Sequence, residues 1–141
     1  MKKIFNSLEE KKIVEAIIAA EHQTSGEIHV HIEKFCKEDV LDRAALVFTK
    51  LKMHQTALKN GVLIYLAVKS KKFAIIGDKG IDAVVPADFW NSTKEIMQQK
   101  FQQGLFTEGL VEGLKKAGEQ LKTHFPHEAN DKNELPNELS S

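Results

Sequence analysis

The sequence predicts an α/β fold in which a small mixed β-sheet lies between helices, and three observations indicate it. Glu27–Glu33 alternates polar and apolar side chains, which is typical of a strand with one buried face. Val62–Val68 is apolar throughout, as expected for the central strand of a sheet. The segment between them carries apolar residues at helical spacing. The three elements therefore predict a β-α-β unit with parallel strands and a right-handed crossover.

A third strand is expected at Phe73–Ile76, because only a short turn at Ser70-Lys71 separates it from the central strand. A connection this short joins antiparallel neighbours. The predicted sheet therefore has strand two in its centre, with strand one parallel to it and strand three antiparallel.

The first helix is predicted from about Leu8 to His22, because Ser7 and Glu10 fit a capping box. Asp39 is expected to cap the second helix. The apolar stripe of that second helix consists of Leu41, Ala44, Ala45, Phe48 and Leu51.

Two further helices are expected in the C-terminal half. Pro86 suits the first turn of the third helix, and Gly104 suits its end. Thr107 is expected to cap the fourth helix, which Pro126 stops. Small residues recur every four positions in the fourth helix and predict a ridge for close packing: Gly109, Gly113 and Ala117.

Length and composition predict one domain. The chain has 141 residues, 42% hydrophobic and 28% charged, with a net charge of zero, so we expect no nucleic-acid partner. Residues 127–141 hold four acidic residues against one lysine and are predicted to form a flexible acidic tail after a domain spanning 1–126. The only cysteine is Cys36, and no signal-peptide core or membrane-spanning stretch is visible. We therefore expect a cytoplasmic monomer with no membrane partner.

Two groups of residues have alternative interpretations in terms of reactive chemistry. Cys36 and Arg43 come close to the loop pattern of cysteine phosphatases, but the spacing is one residue too long, which favours an ordinary loop cysteine. His29 and His31 have the spacing of a zinc or copper chelate. The alternation of the strand instead favours a solvent-exposed polar face for these two histidines.

The segment that begins at Gly77 is the strongest candidate for a ligand site. Gly77 and Gly80 allow a tight loop, while Asp78 and Asp82 supply hard oxygen ligands, and Asp88 follows near the next helix. The residue pattern alone favours a turn with helix-capping aspartates over a metal site.

Three segments together resemble the TPM domain, a family named after a thylakoid lumen protein, a photosystem II repair protein and a nematode receptor modulator. They read TSGEIHVHIE, NGVLIYLAVKSKKFAIIGDKGI, and FW followed by MQQKFQQGLFTEGLVEGLKKAG. The resemblance implies an α/β sandwich, divalent-metal binding and a phosphatase activity. It places acidic family positions at Asp78, Asp82 and Asp88. Since strand three runs opposite to strand one, Asp78 is expected at the same end of the sheet as Glu27.

The resemblance and the residues lead to three hypotheses. The first is a binding or regulatory domain that holds Ca²⁺ or Mg²⁺ through Glu27, Asp78, Asp82 and Asp88. The second is a metal-assisted acid phosphatase in which Lys79 helps to hold the anion, although the sequence shows no recognisable nucleophile or general base. The third is a protein-interaction module that meets an unidentified protein partner through the acidic tail or the glutamine-rich third helix.

Overall fold

The computed structural model describes residues 4–56, 59–127 and 139–140. Within these residues the chain forms a three-stranded sheet with helices on both faces. The elements in order are α1 (Ser7–Glu21), β1 (Glu27–Glu33), α2 (Val40–Lys50), a 3₁₀ helix (Met53–Gln55), β2 (Gly61–Ala67), β3 (Lys72–Gly77), α3 (Lys79–Asp82), α4 (Asn91–Gln102) and α5 (Phe106–His124).

The predicted sheet topology is confirmed. The strand order is β1-β2-β3, with β1 parallel and β3 antiparallel to β2. The register pairs Glu27 with Gly61 at one end and Glu33 with Ala67 at the other. Every residue of β2 is buried, as its apolar sequence predicts for a central strand.

The two faces of the sheet form separate cores. On one face Ile28, Ile64 and Ile75 pack with apolar residues of α1, α4 and α5. On the other face Leu63 and Tyr65 pack with residues of α2 and the 3₁₀ helix. The chain is therefore a three-layer α/β/α sandwich.

The predicted small-residue ridge of α5 is confirmed as a close-packing surface. A Cβ atom at Gly109 would lie 2.4 Å from Cε1 of Phe101 in α4, and one at Gly113 would lie 2.4 Å from Sδ of Met97 in the same helix. Gly118, outside the predicted ridge, also marks a close contact, since a Cβ there would lie 3.0 Å from Cα of Ala20 in α1. The predicted end of α4 is also confirmed, because Gly104 follows it with a φ of 78° that favours glycine.

Three helix starts differ from the prediction. The capping box of α1 uses Asn6 and Glu9 in place of Ser7 and Glu10, because asparagine caps as well as serine and comes one residue earlier. Residues 86–90 form hydrogen-bonded turns, so Pro86 precedes α4 by five residues. Thr107 lies inside α5 and donates its hydroxyl hydrogen to Glu9 Oε2 at 3.1 Å.

The end of the chain contains both described and undescribed residues. The predicted acidic tail falls largely on residues 128–138 and 141, which lie outside the described residues. Leu139 packs against the core, and Ser140 pairs with β1, contacts that the prediction of a flexible tail did not include. None of the helices in the described ranges combines the length and the apolar character that a bilayer crossing requires.

Candidate functional site

Three chain segments meet at one end of the sheet. The backbone N–H of Glu27 donates to the carbonyl of Asn60 at 3.2 Å, where β1 begins beside the entry to β2. The N–H of Asp78, just past β3, donates to the carbonyl of Gly61 at 2.9 Å. Glu27 and Asp78 therefore flank Gly61 at this end, as the strand directions predict.

The alternation of the strands places both acidic side chains on the same face of the sheet. Glu27 pairs directly with Gly61, and Asp78 follows Gly77, which pairs with Val62. Asp78 is still extended, with φ −71° and ψ 175°, so its side chain points to the α2 face. Gly61 contributes no side chain, and the carbonyl of Met53 lies 3.3 Å from the place of a Cβ there. The 3₁₀ helix thus covers the gap between the two carboxylates.

Both carboxylates are buried. Glu27 is 5% exposed and Asp78 is 7% exposed. Asp78 Oδ1 accepts the N–H of Lys79 at 2.7 Å, but its Oδ2 accepts no hydrogen bond from any described residue. The same holds for the hydroxyl of Thr56, which is buried in the segment after the 3₁₀ helix. A buried carboxylate oxygen without a partner is unfavourable, and a bound cation would satisfy it.

A third carboxylate, Glu21, was missed by the sequence reasoning. It ends α1, and its Oε2 accepts the N–H of Ile28 at 3.1 Å. Burial raises the pKa of Glu21 to about 7; the Ile28 hydrogen bond opposes that shift, and the nearby charge of Glu27 adds to it. An acidic residue in the last turn of a helix opposes the helix dipole, and this was the signal in the sequence that could have identified it.

The raised pKa predicts a pH-dependent stability that Glu21→Gln should remove. The folded chain holds the proton of Glu21 up to about pH 7, whereas the usual value is 4.5. The contribution of protonated Glu21 to the free energy of unfolding is therefore complete below about pH 4.5 and is lost as the pH rises through 7. Between about pH 5 and pH 8 the wild type should lose on the order of 2 kcal/mol relative to the variant, allowing for solvent screening of this half-buried side chain.

The measurement is urea unfolding of both chains across that pH range. Glu15→Gln, an exposed position on the same helix, serves as the control and should keep the wild-type pH dependence. Parallel pH profiles for wild type and Glu21→Gln would contradict the burial of this carboxylate.

Asp82 and Asp88 are placed differently from Glu27 and Asp78. The predicted loop after Gly77 is the short helix α3, capped by Asp78, and Asp82 is exposed within it. Asp82 Oδ1 lies 3.6 Å from the place of a Cβ at Gly77, a position on the opposite face of β3 from Asp78. Asp88 is exposed in the turn before α4. Among the residues that the structure describes, no three acidic, histidine or cysteine side chains already form a metal-ligand group.

A hydrogen-bonded frame holds the loop between α1 and β1 against the C-terminal end of α5. The hydroxyl of Thr24 and the N–H of Ser25 both donate to the carbonyl of Phe125, the latter at 2.9 Å. The side-chain amide of Asn60 donates to the carbonyl of Ser25 at 3.1 Å. This frame fixes the backbone that leads into Glu27.

The prediction of a solvent-exposed polar face on β1 is wrong, because the side chains of that face are buried. His29 is 4% exposed and His31 is 9% exposed. His31 Nε2 lies 3.0 Å from Glu33 Oε1, and Glu33 also accepts hydrogen bonds from Arg43 of α2 and from the hydroxyl of Tyr65. Burial lowers the pKa of His31. For Glu33, burial favours the protonated form, but these three donors keep its pKa below the usual value.

Arg43 and Cys36, the two residues of the near-match to a phosphatase loop, each contact other parts of the protein. Arg43 forms its ion pair with Glu33, so its guanidinium is already engaged. Cys36 is 3% exposed, and its thiol donates to the carbonyl of Glu38 at 3.3 Å. These contacts agree with the interpretation of Cys36 as an ordinary structural cysteine.

The fold and the site define an α/β/α domain with buried carboxylates at one end of a mixed three-stranded sheet. The TPM domain family model matches residues 1–120. The chain belongs to the TPM domain family, as its resemblance to that family predicts.

Two solved structures are similar to this chain. The BA42 protein from the psychrophilic bacterium Bizionia argentinensis, solved by NMR, is 52% identical, with 99% of this chain and 97% of that chain covered and a TM-score of 0.93. The N-terminal domain of the cg2496 protein from Corynebacterium glutamicum is 14% identical, with 82% and 73% covered and a TM-score of 0.65, which shows the fold alone. Among curated proteins the chain has no significant match.

Proposed function

We propose that this TPM domain binds a hard divalent cation, Ca²⁺ or Mg²⁺, at the end of the sheet where Glu27 and Asp78 flank Gly61. The observation that supports the proposal most directly is Asp78, a 7% exposed carboxylate whose Oδ2 accepts no hydrogen bond from any described residue. Carboxylate and hydroxyl oxygens are the ligands that both ions prefer. The buried hydroxyl of Thr56 adds an oxygen of this kind.

Electrostatic repulsion also favours a cation here. Burial raises the pKa of Glu21 and the charge of Glu27 adds to the shift, so negative charge on both carboxyl groups at the start of β1 is unfavourable. A divalent cation would replace this repulsion with attraction.

The proposed role is regulatory, because the candidate ligands come from segments far apart in the chain. Glu21 and Glu27 flank the loop after α1, Thr56 follows the 3₁₀ helix, and Asp78 caps α3. A cation shared by these segments would tie them together. The stability of this end of the sheet would then rise and fall with the concentration of the cation.

Cation binding should raise the thermal stability of the wild-type chain. A cation at 100 times its Kd stabilises the folded state by about 2.7 kcal/mol, which corresponds to roughly 5–10 °C for a domain of this size. The measurement is the melting temperature with and without excess CaCl₂ or MgCl₂, in wild type and in Asp78→Asn. Asp42→Asn, an exposed aspartate on α2, is the matched control and should shift like the wild type.

The variants decide which carboxylates belong to the site. Loss of the shift in Asp78→Asn and Glu27→Gln, with retention in Asp42→Asn, is the expected result. Asp82→Asn and Asp88→Asn test the two exposed aspartates in the same way. An unshifted wild type with both ions, or an equal shift in Asp78→Asn, would refute the proposal.

Phosphatase activity is measured separately on the same samples. Hydrolysis of p-nitrophenyl phosphate is followed with the cation that gives the shift, in wild type, Asp78→Asn and Lys79→Ala. Lys79 is exposed beside Asp78, as an anion-holding residue requires. Turnover that depends on both the cation and Asp78 would establish the alternative function of a metal-assisted phosphatase.

A further inference from the structure

Ser140 pairs with the outer edge of β1. Ser140 donates its backbone N–H to the carbonyl of Val30 at 3.0 Å and accepts the N–H of Ile32 at 2.8 Å, a parallel bridge centred on His31. The preceding Leu139 packs against the hydrophobic core. Two consecutive residues thus combine strand pairing with an apolar anchor.

The side chain of Ser140 makes contacts as specific as those of its backbone. Its Oγ lies 2.7 Å from His29 Nε2 and 2.7 Å from His31 Nδ1. His31 Nε2 faces the Glu33 carboxylate, which can only accept, so Nε2 carries the proton and Nδ1 is left as an acceptor. The Ser140 hydroxyl therefore donates to His31 and accepts from His29. A hydroxyl satisfies both roles at once, whereas an alanine methyl group satisfies neither.

β1 is an edge strand of the sheet, with β2 on one side only. β2 and β3 occupy the other side of the sheet, so the outer N–H and C=O groups of β1 face away from β2. An exposed strand edge is a ready template for an additional strand, and main-chain hydrogen bonds with side-chain pockets are the usual basis of such recognition. Here the two histidines provide the pocket.

We propose that the outer edge of β1 is a peptide-binding site for an extended segment in which an apolar residue is followed by serine or threonine. The chain's own Leu139-Ser140 occupies the site as an intramolecular ligand, and a partner protein with the same two-residue chemistry would compete with it. The residues that hold the tail are the side chains of His29 and His31 and the backbone of Val30 and Ile32, none of which is a proposed cation ligand.

The connection between α5 and Leu139 sets the strength of this competition. Residues 128–138 join the two along the chain, so the contact is intramolecular and any separate peptide competes with a tethered one. A separate peptide should therefore bind weakly to the wild type and strongly only after the tail has lost its own contacts.

The test uses the full-length chain with the tail released by the double substitution Leu139→Asp/Ser140→Ala. The probe is a fluorescent peptide with the sequence of residues 131–141, and binding is measured by fluorescence anisotropy. We expect the peptide to bind the released variant at least about tenfold more tightly than the wild type. A peptide with alanine in place of Ser140 should bind about tenfold more weakly, because two hydrogen bonds are lost, whereas threonine should bind within about threefold of serine.

Three outcomes would overturn the proposal. The first is absence of peptide binding to a released variant whose ¹H–¹⁵N spectrum shows the folded sheet. The second is equal affinity of the serine and alanine peptides. The third is a wild-type dimer in sedimentation that dissociates in the released variant, since the tail would then occupy the edge of a second copy.

Discussion

Leu66→Ala is expected to lower the free energy of unfolding by about 2–5 kcal/mol, the largest effect of any substitution considered for this chain. Leu66 is fully buried in the central strand, paired with Ile32 of β1 on one side and with Phe73 of β3 on the other. Truncation to alanine removes apolar contacts on the face that packs against α1, α4 and α5. The cavity is bounded by the sheet backbone, which cannot collapse into it.

Urea unfolding monitored by circular dichroism measures this loss. Leu46→Ala is the matched control, since Leu46 is 44% exposed on α2 and its truncation should change the free energy of unfolding by no more than about 0.5 kcal/mol. A loss below about 1 kcal/mol for Leu66→Ala would contradict the central position of β2.

Gly109→Ala is expected to destabilise the chain by about 1–3 kcal/mol, although alanine favours a helix over glycine by about 1 kcal/mol. A Cβ atom at this position would lie 2.4 Å from Cε1 of Phe101. The ring of Phe101 cannot move aside easily, because it packs edge-on against Phe73, with ring centroids 5.1 Å apart, and also contacts Phe106. The clash should therefore separate α4 from α5.

Thermal and urea unfolding of Gly109→Ala test this expectation. Glu112→Ala, an exposed position on the same helix, is the control and should be neutral or slightly stabilising. If Gly109→Ala proves more stable than the wild type, the helix preference outweighs the contact and the ridge does not set the spacing of α4 and α5.

The sheet could be predicted because its signals are local. The alternation of Glu27–Glu33 and the uninterrupted apolar run of β2 identify two strands, and the helix between them dictates that they run parallel. The position of Asp78 beside Gly61 follows from strand direction alone. These features need no knowledge of what packs on the sheet.

The polar face of β1 could not be predicted, because its burial depends on distant residues. His29 and His31 have the spacing of an exposed face, yet Tyr65 stacks on His31, Ser140 contacts both histidines, and Arg43 pairs with Glu33 on the same face. Periodicity reports which side chains share a face, and it carries no information about what covers that face. The predicted helix starts were wrong for another reason, because neighbouring residues offer nearly equivalent caps.

The pairing of α1 with α5 has a consequence for the order in which the chain folds. Gly118 meets the backbone of Ala20, and Phe125 accepts hydrogen bonds from the loop that follows α1, so the first helix docks on the last. During synthesis at about 5–20 residues per second, α1 must wait roughly 5–20 s before α5 is complete. Until then, the apolar surface that Leu110, Leu114 and Leu121 of α5 cover in the folded chain stays exposed, so the nascent chain carries an incomplete core for several seconds.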